Sequence, residues 1–212
     1  MTLLLLRHGE SESNVGRIYA GSRVDLPLTE TGIQQARLQA SALQGVRVDA
    51  IHSSPLRRAR ETAETISRRI GIEPEFHSDL REVDVGLLEG TDQDESMFRT
   101  QHDRVVQKWE QGEHHASFPE GESLEVIEDR LRGFLESLEG REAAQTVLMV
   151  GHCMLFMAAI WLFCENRGPT FEHGHMGRGH LSIIKGAGDP FRLHAFNLSP
   201  AQSGEKLADL IA

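Results

Sequence analysis

The sequence predicts an α/β fold: a three-layer α/β/α sandwich around a mostly parallel sheet. Three observations lead there. Strand-like and helix-like segments alternate along the chain, the pattern of a parallel sheet with helices on both faces. Two of the strand-like segments, Thr2–Leu6 and Thr146–Val150, are short continuous apolar runs, as expected of central strands buried on both sides. The 212 residues, 39% of them apolar, show no repeat and no low-complexity run and can bury one substantial core, so a single domain spanning residues 1–212 is expected.

The elements follow in order. Thr2–Leu6 is the first strand and ends in Arg7-His8-Gly9 and a polar turn. Thr29 is an N-cap for a helix whose apolar stripe is Ile33, Ala36, Ala40 and Leu43. Asp49–His52 is a second strand. Ser54 then caps a helix with Pro55 at its first position, where the missing N–H costs nothing. Its buried stripe is Ala59, Ala63, Ile66 and Ile70; Arg57 falls opposite this stripe and Arg58 on its flank, from where it can reach over the sheet end. Glu75–His77 is a short strand. Residues 91–122 carry mixed polarity with Phe98, Trp109 and Phe118, and are expected to form a lid-like insertion. Ser123 caps a helix bearing Leu124, Ile127, Leu131, Phe134 and Leu138. After Thr146–Val150 comes Cys153–Cys164, apolar nearly all round but too short to span a bilayer, hence a buried helix packed on the sheet. Leu181–Ile184 and Arg192–Phe196 close the chain as a hairpin.

A formal charge of −10 argues against nucleic acids and anionic membranes as partners. Met1-Thr2 runs directly into the first strand, with no basic leader and no cleavage site, which points to a cytoplasmic protein. Cys153 and Cys164 lie about 16 Å apart on one helix at roughly 1.5 Å per residue, beyond the roughly 7 Å that a disulfide spans. Two unpaired cysteines fit a reducing compartment.

Ligands in open α/β sheets bind at the C-terminal ends of the strands. Arg7 and His8 end the first strand and His152 ends the Thr146–Val150 strand, so two histidines can face one another across a bound group. An arginine fork suits phosphate oxygens, and histidine can accept a phosphoryl group. Each of these residues alone is also compatible with a solvated strand end, so the case rests on the motifs together. Leu6-Arg7-His8-Gly9-Glu10-Ser11 with Asn14, Tyr19-Ala20-Gly21, Leu28-Thr29-Glu30-Thr31-Gly32, Ser53-Ser54-Pro55-Leu56-Arg57-Arg58-Ala59, Leu80-Arg81-Glu82-Val83-Asp84-Val85-Gly86, Pro119-Glu120-Gly121-Glu122-Ser123 and Val150-Gly151-His152 stand in this order. In this the chain resembles the histidine phosphatase superfamily, the phosphoglycerate-mutase-like group, over nearly its whole length.

The resemblance implies a metal-independent phosphomonoesterase acting on a small phosphorylated metabolite, with no cofactor. His8 would be the nucleophile, kept neutral by like-charge repulsion from Arg7 and Arg58, which also bind the transferring oxygens with Asn14 and Gly21. His152 would donate to the same oxygens, and Glu82 would be the general acid and then the base, with Asp84 as the fallback. Gly121-Glu122-Ser123 is expected at the lid, or as a simple helix cap. A homodimer is compatible with the family.

Three departures bear on the reading. Cys153 follows His152 where many relatives have glycine. The mutase motif Glu-Arg-x-Tyr-Gly is replaced by Glu82-Val83-Asp84-Val85-Gly86, and residues 91–120 hold only Arg99 and Arg104 as arginines. Hydrolysis therefore gains over a phosphoglycerate mutase, which would need a 2,3-bisphosphoglycerate primer and is the alternative; a phosphoprotein phosphatase or phosphate-binding module is a third. Arg178 and His180 stand where relatives carry a small polar residue and could reach the pocket. No metal is expected: the clusters Glu172-His173 with His175, and His114-His115, lack a ligand pattern such as His-Glu-x-x-His.

Overall fold

In a computed structural model, which describes residues 1–138, 145–167 and 175–208, the chain forms the predicted α/β sandwich. The strands are β1 (Thr2–Arg7), β2 (Ala50–Ser53), β3 (Pro74–Phe76), β4 (Thr146–Gly151), β5 (Leu181–Lys185) and β6 (Arg192–Leu198). The helices are α1 (Glu12–Val15), α2 (Glu30–Ala42), α3 (Arg57–Ile70), α4 (Ser96–Glu110), α5 (Leu124–Leu138), α6 (Cys153–Phe163) and α7 (Pro200–Ala208). The sheet order is β3-β2-β4-β1-β5-β6, with the first four strands parallel and the closing hairpin antiparallel.

The apolar run of β1 is explained by its place beside β4 and β5. Leu3 and Leu5 face a core shared with α4, α5 and α6, while Leu4 and Leu6 face one shared with α2, α3 and α7. Successive side chains of a strand point to opposite faces, so a central strand with helices on both sides has no polar face. All four leucines are fully buried, each worth about 2 kcal/mol relative to exposure.

One local expectation needs correction. The third helix begins at Arg57 with Leu56 at the N-cap, not after Ser54. Ser54 lies just past β2, donating its N–H to the Val150 carbonyl (2.9 Å), and Asp25 Oδ1 accepts the Arg57 N–H (2.6 Å) to cap α3 from another loop. Within residues 91–122, α4 is a regular helix of fifteen residues, whose buried Val105 and Trp109 are too few to show as a stripe in the sequence. Among the described residues no helix is long and apolar enough to cross a membrane.

Candidate active site

Because β4 lies between β1 and β2, the C-terminal ends of these three strands adjoin. They deliver Arg7 and His8, His152, and Ser54 to one place. The His8 and His152 rings stand edge to face with centroids 5.2 Å apart. His8 Nδ1 lies 2.6 Å from the Gly9 carbonyl. A carbonyl only accepts, so Nδ1 carries the proton and Nε2 keeps its lone pair. Burial, then the positive charges of Arg58 and Arg7, hold the His8 pKa well below its ordinary value. Like-charge repulsion was expected to keep this ring neutral; desolvation is the larger cause.

His152 is also buried and its pKa is held well below normal, again chiefly by burial and then by Arg58. Its Nε2 lies 2.8 Å from Ser54 Oγ, which accepts the Leu56 N–H at 3.2 Å. With Ser54 as donor to Nε2, both groups are satisfied except for an N–H at Nδ1; the reverse arrangement leaves the serine hydroxyl proton stranded as well. The tautomer with the proton on Nδ1 is therefore favoured. That Nδ1 is buried without a partner, as is Arg7 Nε. Two of the unpartnered buried polar atoms among the described residues thus belong to the ends of adjacent strands.

Arg58 is 1% exposed and is fixed by the main chain: its guanidinium donates to the carbonyls of Val24 (2.9 Å), Ala20 (3.1 Å) and Gly21 (2.9 Å). Arg57 faces solvent and pairs with Glu61, as the helical phase predicts. The Gly21 N–H is held by Glu89 Oε2 (3.1 Å), so this residue bears on the site through Arg58. Asn14 Oδ1 accepts from the Ser11 N–H and hydroxyl, both at 3.1 Å, which leaves its amide donors unused. Glu82 lies buried against the start of α6: Oε1 accepts from Val83 N (3.0 Å) and Leu155 N (2.9 Å), and Oε2 from Met154 N (3.2 Å).

Arg7, His8, Asn14, Gly21, Arg58 and Glu82 line a cavity of about 650 Å³, within the range of small-molecule sites; His152, fully buried, is not part of its lining. Its floor is Arg7, His8, Arg58 and Glu82; its outer wall includes Tyr19 and, from α4, Arg99, His102 and Asp103. Arg178 and His180 also line it, the first 3.4 Å from Glu10 and the second bonded to Asn197. Cys153 also lines it; burial raises its thiol pKa, which disfavours the thiolate that a nucleophile needs. Asp84 is off the cavity and is bonded to Arg23 and the Gly86 N–H. Glu122 is also off it; it binds Arg130, whose guanidinium holds the Asp79 and Arg81 carbonyls and so fixes the segment leading into Glu82. His114 and His115 do not reach the cavity, His175 does, and Glu172 and His173 lie outside the described residues.

Glycine pairs weld the motifs together. A Cβ on Gly32 would stand 2.0 Å from the Glu10 carbonyl oxygen, and one on Gly9 2.3 Å from that of Gly32. The turn after His8 and the first turn of α2 therefore touch backbone to backbone.

A doubly wound sheet whose strand ends gather two neutral histidines, two arginines and a carboxyl group defines an enzyme that handles anionic groups. Residues 3–199 match the histidine phosphatase superfamily (branch 1), and the chain belongs to that family of phosphoric monoester hydrolases. It is 35% identical over 184 residues to phosphoserine phosphatase 1 of Hydrogenobacter thermophilus, covering 81% of this chain and 85% of that one. It is 35% identical over 152 residues to the probable phosphoglycerate mutase GpmB of Photorhabdus laumondii, covering 72% and 69%. The structure of a mycobacterial glucosyl-3-phosphoglycerate phosphatase, in complex with VO3, superposes with a TM-score of 0.76 at 27% identity, over 93% of this chain and 99% of that one.

Proposed function

We propose that the protein hydrolyses a small phosphorylated metabolite without a metal ion, through a phosphohistidine on Nε2 of His8. The observation that carries this reading is the short bond from His8 Nδ1 to the Gly9 carbonyl. It leaves a neutral ring with its lone pair on Nε2. In the first step that lone pair forms the N–P bond as the P–O bond to the leaving group breaks, and the departing oxygen takes a proton from the Glu82 carboxyl. In the second step the Glu82 carboxylate takes a proton from water, the water oxygen bonds to phosphorus, and the N–P bond breaks to restore His8.

Throughout, Arg7 Nε, the free Arg58 donors, the Asn14 amide and His152 Nδ1 are available to the transferring oxygens. Such donors, fixed before substrate arrives, stabilise the charge that develops. That a related structure carries VO3 supports a phosphoryl site in this fold. Arg99, His102 and Asp103 on α4 offer charges of both signs to the leaving group, and we assign its selection to them.

Phosphate release from a panel of phosphomonoesters with EDTA present tests the proposal. Native protein is expected to turn over at least one member, and His8→Ala to lose at least about 10⁴-fold in kcat. Hydrolysis that survives in His8→Ala overturns the phosphohistidine. Interconversion of phosphoglycerates that needs a bisphosphorylated primer, in place of hydrolysis, would establish the mutase instead.

A further inference from the structure

Away from the cavity, the edge of the sheet brings three metal-ligand side chains to one point. In the parallel register of β2 and β3, His52 pairs with Glu75, and His77 follows two residues later. Residues two apart share a face of a strand, so all three project to the same side. His52 Nδ1 lies 2.9 Å from His77 Nε2, and the same Glu75 Oε2 lies 3.8 Å from the first and 3.6 Å from the second.

A triangle with these sides has a circumradius of about 2.0 Å, so one point lies within bonding distance of all three atoms; zinc binds imidazole nitrogen at roughly 2.0–2.1 Å and carboxylate oxygen at roughly 2.0–2.2 Å. An ion about 0.6 Å out of that plane would meet all three at about 2.1 Å. The Phe134 ring packs against both imidazoles, with centroids 5.5 and 5.1 Å away, and gives the site an apolar wall. On the other side Glu75 is 61% exposed and His77 30% exposed, which provides an entry path and a place for a water ligand. A hydrogen bond between the two histidines accounts for the nitrogen–nitrogen distance alone. It does not account for a carboxylate oxygen set almost equally far from both.

We propose that His52, Glu75 and His77 form a binding site for one divalent first-row transition ion, of which Zn²⁺ fits best by distance and donor type, separate from the phosphoryl-transfer site. None of the three residues lines the catalytic cavity. On binding, the imidazole that donates the inter-ring hydrogen bond moves that proton to its other nitrogen, so that both rings present lone pairs to the ion. The ion staples the three-residue edge strand β3 to β2. Because His77 precedes the turn Ser78–Leu80, from which the chain runs through Arg81 to Glu82, it also anchors the segment that carries Glu82.

The test uses full-length protein cleared of metal with a chelator and then freed of the chelator. Co²⁺ is titrated in while its visible d–d absorption and the heat of binding are followed; His77→Ala and Glu75→Gln are chosen because both positions reach solvent. One ion per chain is expected. Affinity should fall about a hundredfold in His77→Ala and about tenfold in Glu75→Gln, and Zn²⁺ should raise the melting temperature of the native protein but not of His77→Ala. Circular dichroism of the variants, matching the native spectrum, rules out misfolding as the cause. Absence of saturable binding overturns the site. So does equal binding by the variants, which would place the ion elsewhere, for instance on the catalytic histidines.

Discussion

Ser54 is the residue whose part the sequence conceals. Its motif suggests a helix N-cap, yet its hydroxyl sits 2.8 Å from His152 Nε2 and selects that ring's tautomer. Ser54→Ala should leave the two tautomers in competition, lowering kcat about ten- to a hundredfold with little change in KM. Imidazole ¹⁵N shifts of His152 report the tautomer directly; an unchanged spectrum with unchanged kcat would refute the assignment. By contrast the convergence of Arg7, His8 and His152 was legible, since each closes an apolar run and the ends of β1 and β4 adjoin. Arg58 was legible from helical phase combined with its motif. Ser54 was not, because its partner lies 98 positions away and is reached only through the insertion of β4 between β1 and β2. Thr62 behind Gly9, and Arg130 behind the Glu82 segment, escaped for the same reason.

Among the elements, the contact between the His8 turn and α2 is made of main chain and cannot relax by a rotamer change. Gly32→Ala drives a Cβ to 2.0 Å from a backbone oxygen, and should cost about 2–4 kcal/mol by overpacking while also displacing His8 and depressing activity. Gly133 lies within α5 with open space around it; Gly133→Ala should instead stabilise by about 0.5–1 kcal/mol. Urea unfolding of the two variants side by side checks both signs. Strand positions were read nearly to the residue because apolar runs bounded by polar turns leave little latitude. Helix α4 was not: it buries only Val105 and Trp109, too few apolar positions to announce the helix.

For the whole molecule, burial of His8 and His152 makes stability depend on pH. Both native pKa values lie well below the ordinary 6.5. Below about pH 6.5 the unfolded chain takes up protons at these histidines while the folded chain does not. Stability therefore falls as pH drops from about 6.5 towards the native values, by about 1.4 kcal/mol per pH unit for each histidine. Melting temperatures between pH 7 and 5 should decline, and decline less steeply in His8→Ala; equal slopes would show that His8 is not neutral in the folded state. The sandwich architecture itself was legible in the alternation of elements, and the twofold burial of β1 and β4 follows from it.

The charge held at the strand ends has a consequence for what the enzyme retains. Burial keeps the two imidazoles neutral, so the fixed positive charge beside them is that of Arg7 and Arg58, two units at any physiological pH. In the proposed reaction a phosphomonoester dianion brings two negative units that match these two, inside a chain whose overall charge is −10. On the same mechanism inorganic phosphate, as its dianion, matches the same two charges and meets the same donors. On the proposed mechanism the product is held by the same groups as the reacting part of the substrate, and the hold on the two differs chiefly by what the α4 wall adds for the leaving group.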